Sequence, residues 1–333
     1  MASKPTVQET TMKAIVYHQY GTPDVLALEE IDTPVVGNNE VLIRVHASSV
    51  NAGDWHMMTG TPYMIRPMAG LLKPKRNIPG GDVAGRVEAV GADVTQFAPG
   101  DEVFGEIEGG AYAEYVAVPA HDIVLKPANL TFQEAAAVPV AGLTALQGLR
   151  EHGRLQSGHK VLINGASGGV GTFAVQVAKA LGAEVTAVCS TANVEMVRSI
   201  GADHVIDYYR EDFTKTGRRY DLMFDVAGNR SVADCKSMLE PGGTYVPVGG
   251  RMGRVLGPLP RLVRAALAFR FGNQRLAWFV ARMDQEDMTF LAELLESGQL
   301  KPVIENTYSL TEAATALRHV GGGHAKGKNV ITV

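Results

Sequence analysis

The sequence predicts an α/β fold in which a doubly wound, parallel-sheet domain is inserted into a mostly β domain. Three observations predict it. Lys160 to Gly171, KVLINGASGGVG, runs from a short apolar stretch into a glycine-rich turn. Near residue 132 the texture changes, from alternating strand-like segments to helices alternating with apolar runs. Finally, Val330 to Val333 is a strand for which the pattern offers no neighbour in its own segment, so it is expected to rejoin the first domain.

Each element has its own local reason. Val161 to Ile163, β-branched at both ends, reads as a buried parallel strand. The glycines after it permit a tight turn and let backbone N–H groups approach a phosphate without Cβ obstruction. Val170, Ala174, Val177, Ala178 and Leu181 then recur at helical spacing, Gly182 is placed to end the helix, and Glu184 to Cys189 forms a second strand. Strand, glycine turn, helix and strand together make a mononucleotide-binding unit. Upstream, Val41 to His46 and Tyr112 to Val118 alternate, separated by turns such as Pro99 to Asp101. Downstream come a helix over Asn193 to Ile200, strands over His204 to Asp207 and Leu222 to Val226, a helix from Ser231, and a strand over Thr244 to Val248. Leu276 to Val280 is expected as the edge strand, able to pair with its copy in a homodimer. From Asp284 two helices precede the terminal strand, the second opened by a capping box of Ser309 and Glu312. The expected division is a loose leader at 1–11, a β domain at 12–133, the nucleotide-binding domain at 134–283, and a return to the first domain at 284–333.

Composition narrows the function. The 333 residues carry a net charge of −4, which gives no support for nucleic-acid binding. Two cysteines, Cys189 and Cys235, make neither a disulfide framework nor a Cys-x-x-Cys metal site. No apolar run reaches the roughly 18 residues a membrane span needs, and the N-terminus lacks the apolar core of a signal peptide. A cytoplasmic location is the simplest expectation.

Further segments carry a family resemblance: VNAGD at Val50 to Asp54, PGGDVAG at Pro79 to Gly85, FAPGDEVF at Phe97 to Phe104, GAYAEY at Gly110 to Tyr115, AGLTA at Ala141 to Ala145, and GKNVI at Gly327 to Ile331. Together with the glycine turn, they make the whole chain resemble the medium-chain dehydrogenase/reductase superfamily, particularly its zinc-free quinone oxidoreductase-like branch. The resemblance implies a Rossmann dinucleotide-binding domain inserted in a GroES-like catalytic domain. It further implies hydride transfer from NADPH (NADH possible) to a small electrophilic acceptor, a quinone or the activated C=C of an enal or enone. A trans-2-enoyl thioester reductase and a non-catalytic NADPH-binding redox sensor are the alternatives. Where zinc-dependent relatives have a Cys and a Gly-His-Glu segment, this chain has Asn51 and Gly80, Gly81, Asp82, which cannot supply a thiolate and an imidazole. No metal is therefore expected.

The resemblance also assigns residues. Asn51, His56 and Tyr63 are the catalytic candidates, with His56 and Tyr63 on a loop rimming the cleft. Gly165, Ala166, Ser167, Gly168, Gly169, Val170 and Gly171 form the phosphate cradle. Thr144, Val248, Gly249 and Lys328 are expected beside the cofactor. After the second strand, Ser190, Thr191 and Asn193 stand with no carboxylate among them, which points to NADPH. Tyr208 is expected near the 2′-phosphate, with Arg210 supplying charge.

One feature lies outside the family pattern. Between Glu240 and Asp284 there is no acidic residue, yet Arg251, Arg254, Arg261, Arg264, Arg270, Arg275 and Arg282 all occur. Pro260 to Phe271 reads as a basic amphipathic helix with Leu259, Leu262, Val263, Ala266 and Leu267 on its apolar face. Such a helix either packs that face on the sheet and solvates its arginines, or gives transient contact with an anionic membrane surface.

Overall fold

The computed structural model describes residues 10–250, 253–323 and 325–333. Most of the expected leader and Arg251 lie outside the described residues. Strands follow in chain order: β1 (Thr11–Val16), β2 (Ala27–Asp32), β3 (Glu40–Val50), β4 (Asp82–Val90), β5 (Glu102–Glu106), β6 (Tyr115–Pro119) and β7 (Ile123–Leu125). Then come β8 (Lys160–Asn164), β9 (Glu184–Cys189), β10 (His204–Asp207), β11 (Tyr220–Asp225), β12 (Leu239–Pro247) and β13 (Arg275–Leu276), and finally β14 (Ile304–Ser309) and β15 (Lys328–Thr332).

β8 to β13 form one parallel sheet in the order β10-β9-β8-β11-β12-β13, a Rossmann sheet whose strand order reverses beside β8. The GroES-like sheet runs β14-β15-β3-β4-β5-β7, with β6 also paired to β3. The terminal strand does return to it: β15 pairs antiparallel with β3. It also has a neighbour in its own segment, because β14 lies parallel to it. β14 escaped the sequence reading because IENTYS has no apolar alternation, and none of its side chains is fully buried. The Ser309–Glu312 capping box is present, with Glu312 accepting from both the Ser309 N–H and hydroxyl.

The edge strand is shorter than expected. Only Arg275 and Leu276 pair with β12, at Thr244 and Tyr245. Val248 N–H turns toward Asp225 O on β11, so residue 247 faces the β13 side, where Ala277 N–H reaches Tyr245 O. That residue is Pro247, which has no N–H to give, and the ladder stops there.

One apolar core joins the two sheets. It runs from Ala47, Ala84 and Phe104 through Leu143 and Leu146 of the Pro139–Gln147 helix to Ile163 and Phe173. The two sheets are therefore joined by a shared core.

Candidate active site

The glycine turn is built as the sequence requires. Gly165 has φ +90, a left-handed value that favours glycine. A Cβ on Gly171 would stand 2.1 Å from Gly165 O, so only glycine lets the helix start this close to the strand. Gly165 and Ala166 both donate their N–H to Val188 O, and Ala166 is buried, so these two shape the turn and offer no donor to a ligand. Gly168 caps the Gly169–Ala180 helix. The N–H groups of Gly169, Val170 and Gly171 are the unpaired donors of its first turn. The Ser167 hydroxyl accepts from the Asn193 amide (3.0 Å) at the same turn.

The C-terminal chain crosses this turn: Gly327 N–H donates to Ser167 O, and Gly168 and Gly327 form a parallel bridge. Lys328 thus runs beside Gly169, but its ammonium is committed elsewhere. It donates to Asn51 Oδ1 (2.5 Å) and pairs with Asp82 Oδ2 (3.2 Å), and only 3% of the lysine is exposed. Asp82 is wholly buried and also accepts from the Ser49 hydroxyl, the Asn51 amide (2.8 Å) and Val140 N–H at the start of the Pro139–Gln147 helix (2.8 Å). Asn51 is therefore fully engaged, as a link between Lys328 and Asp82, and its side chain is not held out to a substrate. From sequence Asp82 marked only the place of a zinc-ligand segment; Asn51 and Lys328, known as separate candidates, gave no hint that this carboxylate joins them.

His56 lies on the Ala52–Thr59 helix rather than on a loop. Its Nδ1 contacts Thr61 O at 2.7 Å, so this nitrogen carries the hydrogen. Burial lowers its pKa, only partly opposed by that carbonyl bond, so neutral imidazole prevails and Nε2 is an acceptor, not a ready acid. Tyr63 is stacked against Arg66 (4.6 Å) and Arg254 (5.5 Å), which makes it a clamp on its own loop.

Thr144, Val248 and Gly249 do come together, with His56, around a cavity of about 370 Å³ otherwise walled largely by Met64, Ile65, Leu262, Trp278 and Phe279. Thr144 donates its hydroxyl to Val140 O (2.6 Å), which leaves its lone pairs to accept. Arg261 also lines this cavity, its guanidinium anchored to buried Asp225 (3.0 Å) and to the Tyr245 hydroxyl (2.7 Å).

Two family models match the chain: "Alcohol dehydrogenase GroES-like domain" over residues 37–128 and "Zinc-binding dehydrogenase" over residues 200–331. Among curated relatives, Quinone-oxidoreductase QR1, chloroplastic, of Triphysaria versicolor is 36% identical over 96% of this chain and 98% of that protein. The chain belongs to the medium-chain dehydrogenase/reductase superfamily, in its quinone oxidoreductase-like branch. The 2-methylene-furan-3-one reductase of Solanum lycopersicum is 35% identical over 96% of this chain and 79% of that protein. Among solved structures, the quinone oxidoreductase from Coxiella burnetii matches with a TM-score of 0.85 at 31% identity, covering 97% of this chain and 99% of that one. CurK enoyl reductase matches with a TM-score of 0.84 at 25% identity, covering 97% and 99%. This medium-chain family member is thus an oxidoreductase of a family that uses a nicotinamide cofactor.

The residues at the family's zinc position do not fit a zinc ion. Gly80 and Gly81 have no side-chain donor, Asn51 is a neutral amide, and Asp82 already neutralises an ammonium. Among the described residues no group of three or more His, Cys, Asp or Glu is placed to hold a metal.

Beyond β9 the expected cofactor-end residues do cluster. Asn193 bridges Ser167 and Ser190 (3.0 and 3.1 Å), and Tyr208 bonds Ser190. Thr191, however, donates its hydroxyl to Asp207 (2.6 Å), a carboxylate carried in by β10. The reading of residues 189–193 alone missed it because β10 reaches this point only through sheet pairing, with Asp207 beside Cys189. Arg210 lies 3.4 Å from Asp207 and offsets its charge. Burial pushes the Cys189 thiol up to about 11 and the Cys235 thiol up to about 12, so both are inert packing residues.

A larger trough of about 930 Å³ opens on the β-domain side and meets the cleft at Ala281. In its wall Glu106 pairs in register with Asp82, and its buried Oε2 has no protein partner. Burial, then the charges of Asp82 and Asp122, push its pKa from 4.5 up to about 7. The folded state therefore holds a proton that the unfolded chain releases, so stability from this group is full below pH 4.5 and lost as pH rises to about 7. Glu106→Gln should accordingly stabilise the protein by ~2–3 kcal/mol at pH 8 and by almost nothing at pH 4.5. Urea midpoints at the two pH values test this; an equal shift at both would refute it.

Proposed function

We propose that this chain is a zinc-independent, NADPH-dependent reductase that passes hydride to a quinone or to the activated C=C of an enal or enone. The observation that carries the reading is the cleft: apolar walls around Thr144, Val248 and Gly249, and no carboxylate or metal-binding set among its lining residues. A volume of about 370 Å³ suits a small flat acceptor. When bound, the reduced nicotinamide supplies the hydride. The first-turn N–H groups at Gly169 to Gly171 hold the pyrophosphate, and Thr144 accepts a hydrogen bond from the ligand. Met64, Leu262 and Trp278 keep bulk water from the hydride path. The charge that reduction would leave on the acceptor's carbonyl oxygen calls for a proton. A water-borne proton then completes the reduction, since His56 is neutral and an acceptor at its free nitrogen. The roles first given to Asn51, Tyr63 and the Lys328 ammonium pass to positioning. In the same reading 134–283 is the cofactor unit, and a homodimer pairs at the open β13 edge.

Ser190, Asn193 and Tyr208 support NADPH, and Arg210 screens Asp207 from the 2′-phosphate. The likeness to an enoyl reductase favours enoyl thioesters as the second substrate class. No helix among the described residues is long and apolar enough to cross a membrane. Cytoplasmic residence belongs to the same proposal, set against relatives named chloroplastic and mitochondrial.

The test is turnover of NADPH and NADH with a quinone, a short enal, a cyclic enone and an enoyl thioester, each with and without chelator. Chelator-insensitive turnover that prefers NADPH is expected. Loss of activity on chelation would overturn the zinc-independent reading, and tight NADPH binding without any turnover would favour a sensor.

A further inference from the structure

The Leu259–Phe269 helix is mounted the opposite way round from an ordinary cover helix. Ala265 and Phe269 are its buried residues, and Arg261, one turn before, reaches inward to Asp225. The positions half a turn away are Leu259, Val263 and Leu267, which are 40%, 57% and 62% exposed. The face expected to pack on the sheet is the one shown to solvent, while the best-anchored arginine of the run points inward.

The exposed apolar surface continues onto a second segment. Tyr63 and Met64 donate their N–H groups to Arg254 O (2.9 Å) and Val255 O (3.1 Å), stitching the 63–72 loop to the approach of this helix. Across the 63–72 loop and residues 254–271, eleven of the nineteen exposed large hydrophobic side chains among the described residues are found, including Met68, Leu71 and Leu72. Charge follows the same division. Residues 55–81 and 241–283 contain eleven Lys and Arg and no Asp or Glu, in a chain whose net charge is −4, although Arg76, Arg261 and Arg282 pair with Glu108, Asp225 and Asp284 from outside these segments.

We propose that this face docks on an anionic lipid surface. Exposed apolar side chains that share these segments with Lys73, Lys75, Arg264 and Arg270, with no carboxylate in either segment, are complementary to lipid headgroups and the acyl boundary beneath them. A second copy on this face is the poorer occupant, because it would set the Arg264 and Arg270 run of one helix against its own copy with no acid on either to pair; the homodimer proposed above uses the β13 edge instead. Pro258 and Leu262 of the same helix line the cleft, so docking sets the cleft mouth at the lipid boundary. The docking surface stands whichever acceptor the cleft uses.

Flotation with phosphatidylcholine vesicles, with and without phosphatidylserine, tests it. The protein should float with the anionic vesicles, release as salt rises, and stay behind with phosphatidylcholine alone. Val263→Asp with Leu267→Asp should weaken vesicle binding at least ~10-fold, as should Arg264→Glu with Arg270→Glu. None of these side chains lines the cleft, so circular dichroism and turnover of a water-soluble quinone should match the parent. Absence of flotation with anionic vesicles at low salt overturns the proposal. So does a dimer, seen by sedimentation velocity, that the Val263→Asp, Leu267→Asp variant converts to monomer.

Discussion

Lys328→Met should lower folding stability by about 3–5 kcal/mol, because it strands a buried carboxylate. Asp82 is completely buried, and Lys328 is the cation that faces it. With the ammonium gone, Asp82 keeps neutral donors from Ser49, Asn51 and Val140 but no counter-charge. The neighbouring carboxyls suffer as well. Burial already pushes Asp54 up to about 6 and Glu106 up to about 7, and Lys328 acts against both shifts. The rescue experiment separates charge from packing. Asp82→Asn in the Lys328→Met background removes the stranded charge at nearly constant volume and should return most of the loss. Urea unfolding of the four members of this cycle measures the coupling. A Lys328→Met loss below about 1 kcal/mol would mean that the ammonium is not what holds Asp82 in the interior. Turnover should fall as well, since the same contacts fix Asn51 at the start of the helix that carries His56.

That cluster marks the boundary of what the sequence discloses. The Rossmann sheet was legible because each of its strands is a short apolar run whose role is set locally, and Gly165 and Gly171 are demanded by one turn. The return of the terminal strand was legible for want of a visible neighbour, although β14, with too few apolar residues to announce itself, supplies one. Asp82, Asp207 and Asp225 were not legible as partners. Each meets its counterpart, Lys328, Thr191 or Arg261, only after sheets have paired, across separations that no spacing rule covers. The Leu259–Phe269 helix shows the same limit from the other side. Its periodicity gave the correct apolar stripe but not which way the stripe faces, since one inward arginine bonded to Asp225 outweighs the expectation for a cover helix.

Two glycines three residues apart should fail in different ways, and the contrast tests where the dinucleotide sits. A methyl on Gly171 would meet Gly165 O at 2.1 Å and the Ala166 backbone at 2.8 Å, none of which can move without shifting the strand end or the helix start. Gly171→Ala should therefore cost about 1–3 kcal/mol of stability, as overpacking does, and should weaken NADPH binding with it. Gly168 is different. Its φ of −83 suits any residue, and a Cβ there meets nothing nearer than Gly165 O at 3.7 Å. Gly168→Ala should leave the unfolding midpoint within about 0.5 kcal/mol of the parent. Yet the methyl would occupy the open space before the first-turn N–H groups, where a pyrophosphate must come close to accept from them. Displacing one such charge-assisted hydrogen bond is worth about 1.5–3 kcal/mol, so NADPH affinity should fall ~10–100-fold. Fluorescence titration with NADPH, paired with urea unfolding, reads both quantities on the same samples. If Gly168→Ala binds NADPH as the parent does, the phosphates do not rest on this helix, and the cofactor placement argued from Gly169 to Gly171 falls with that result.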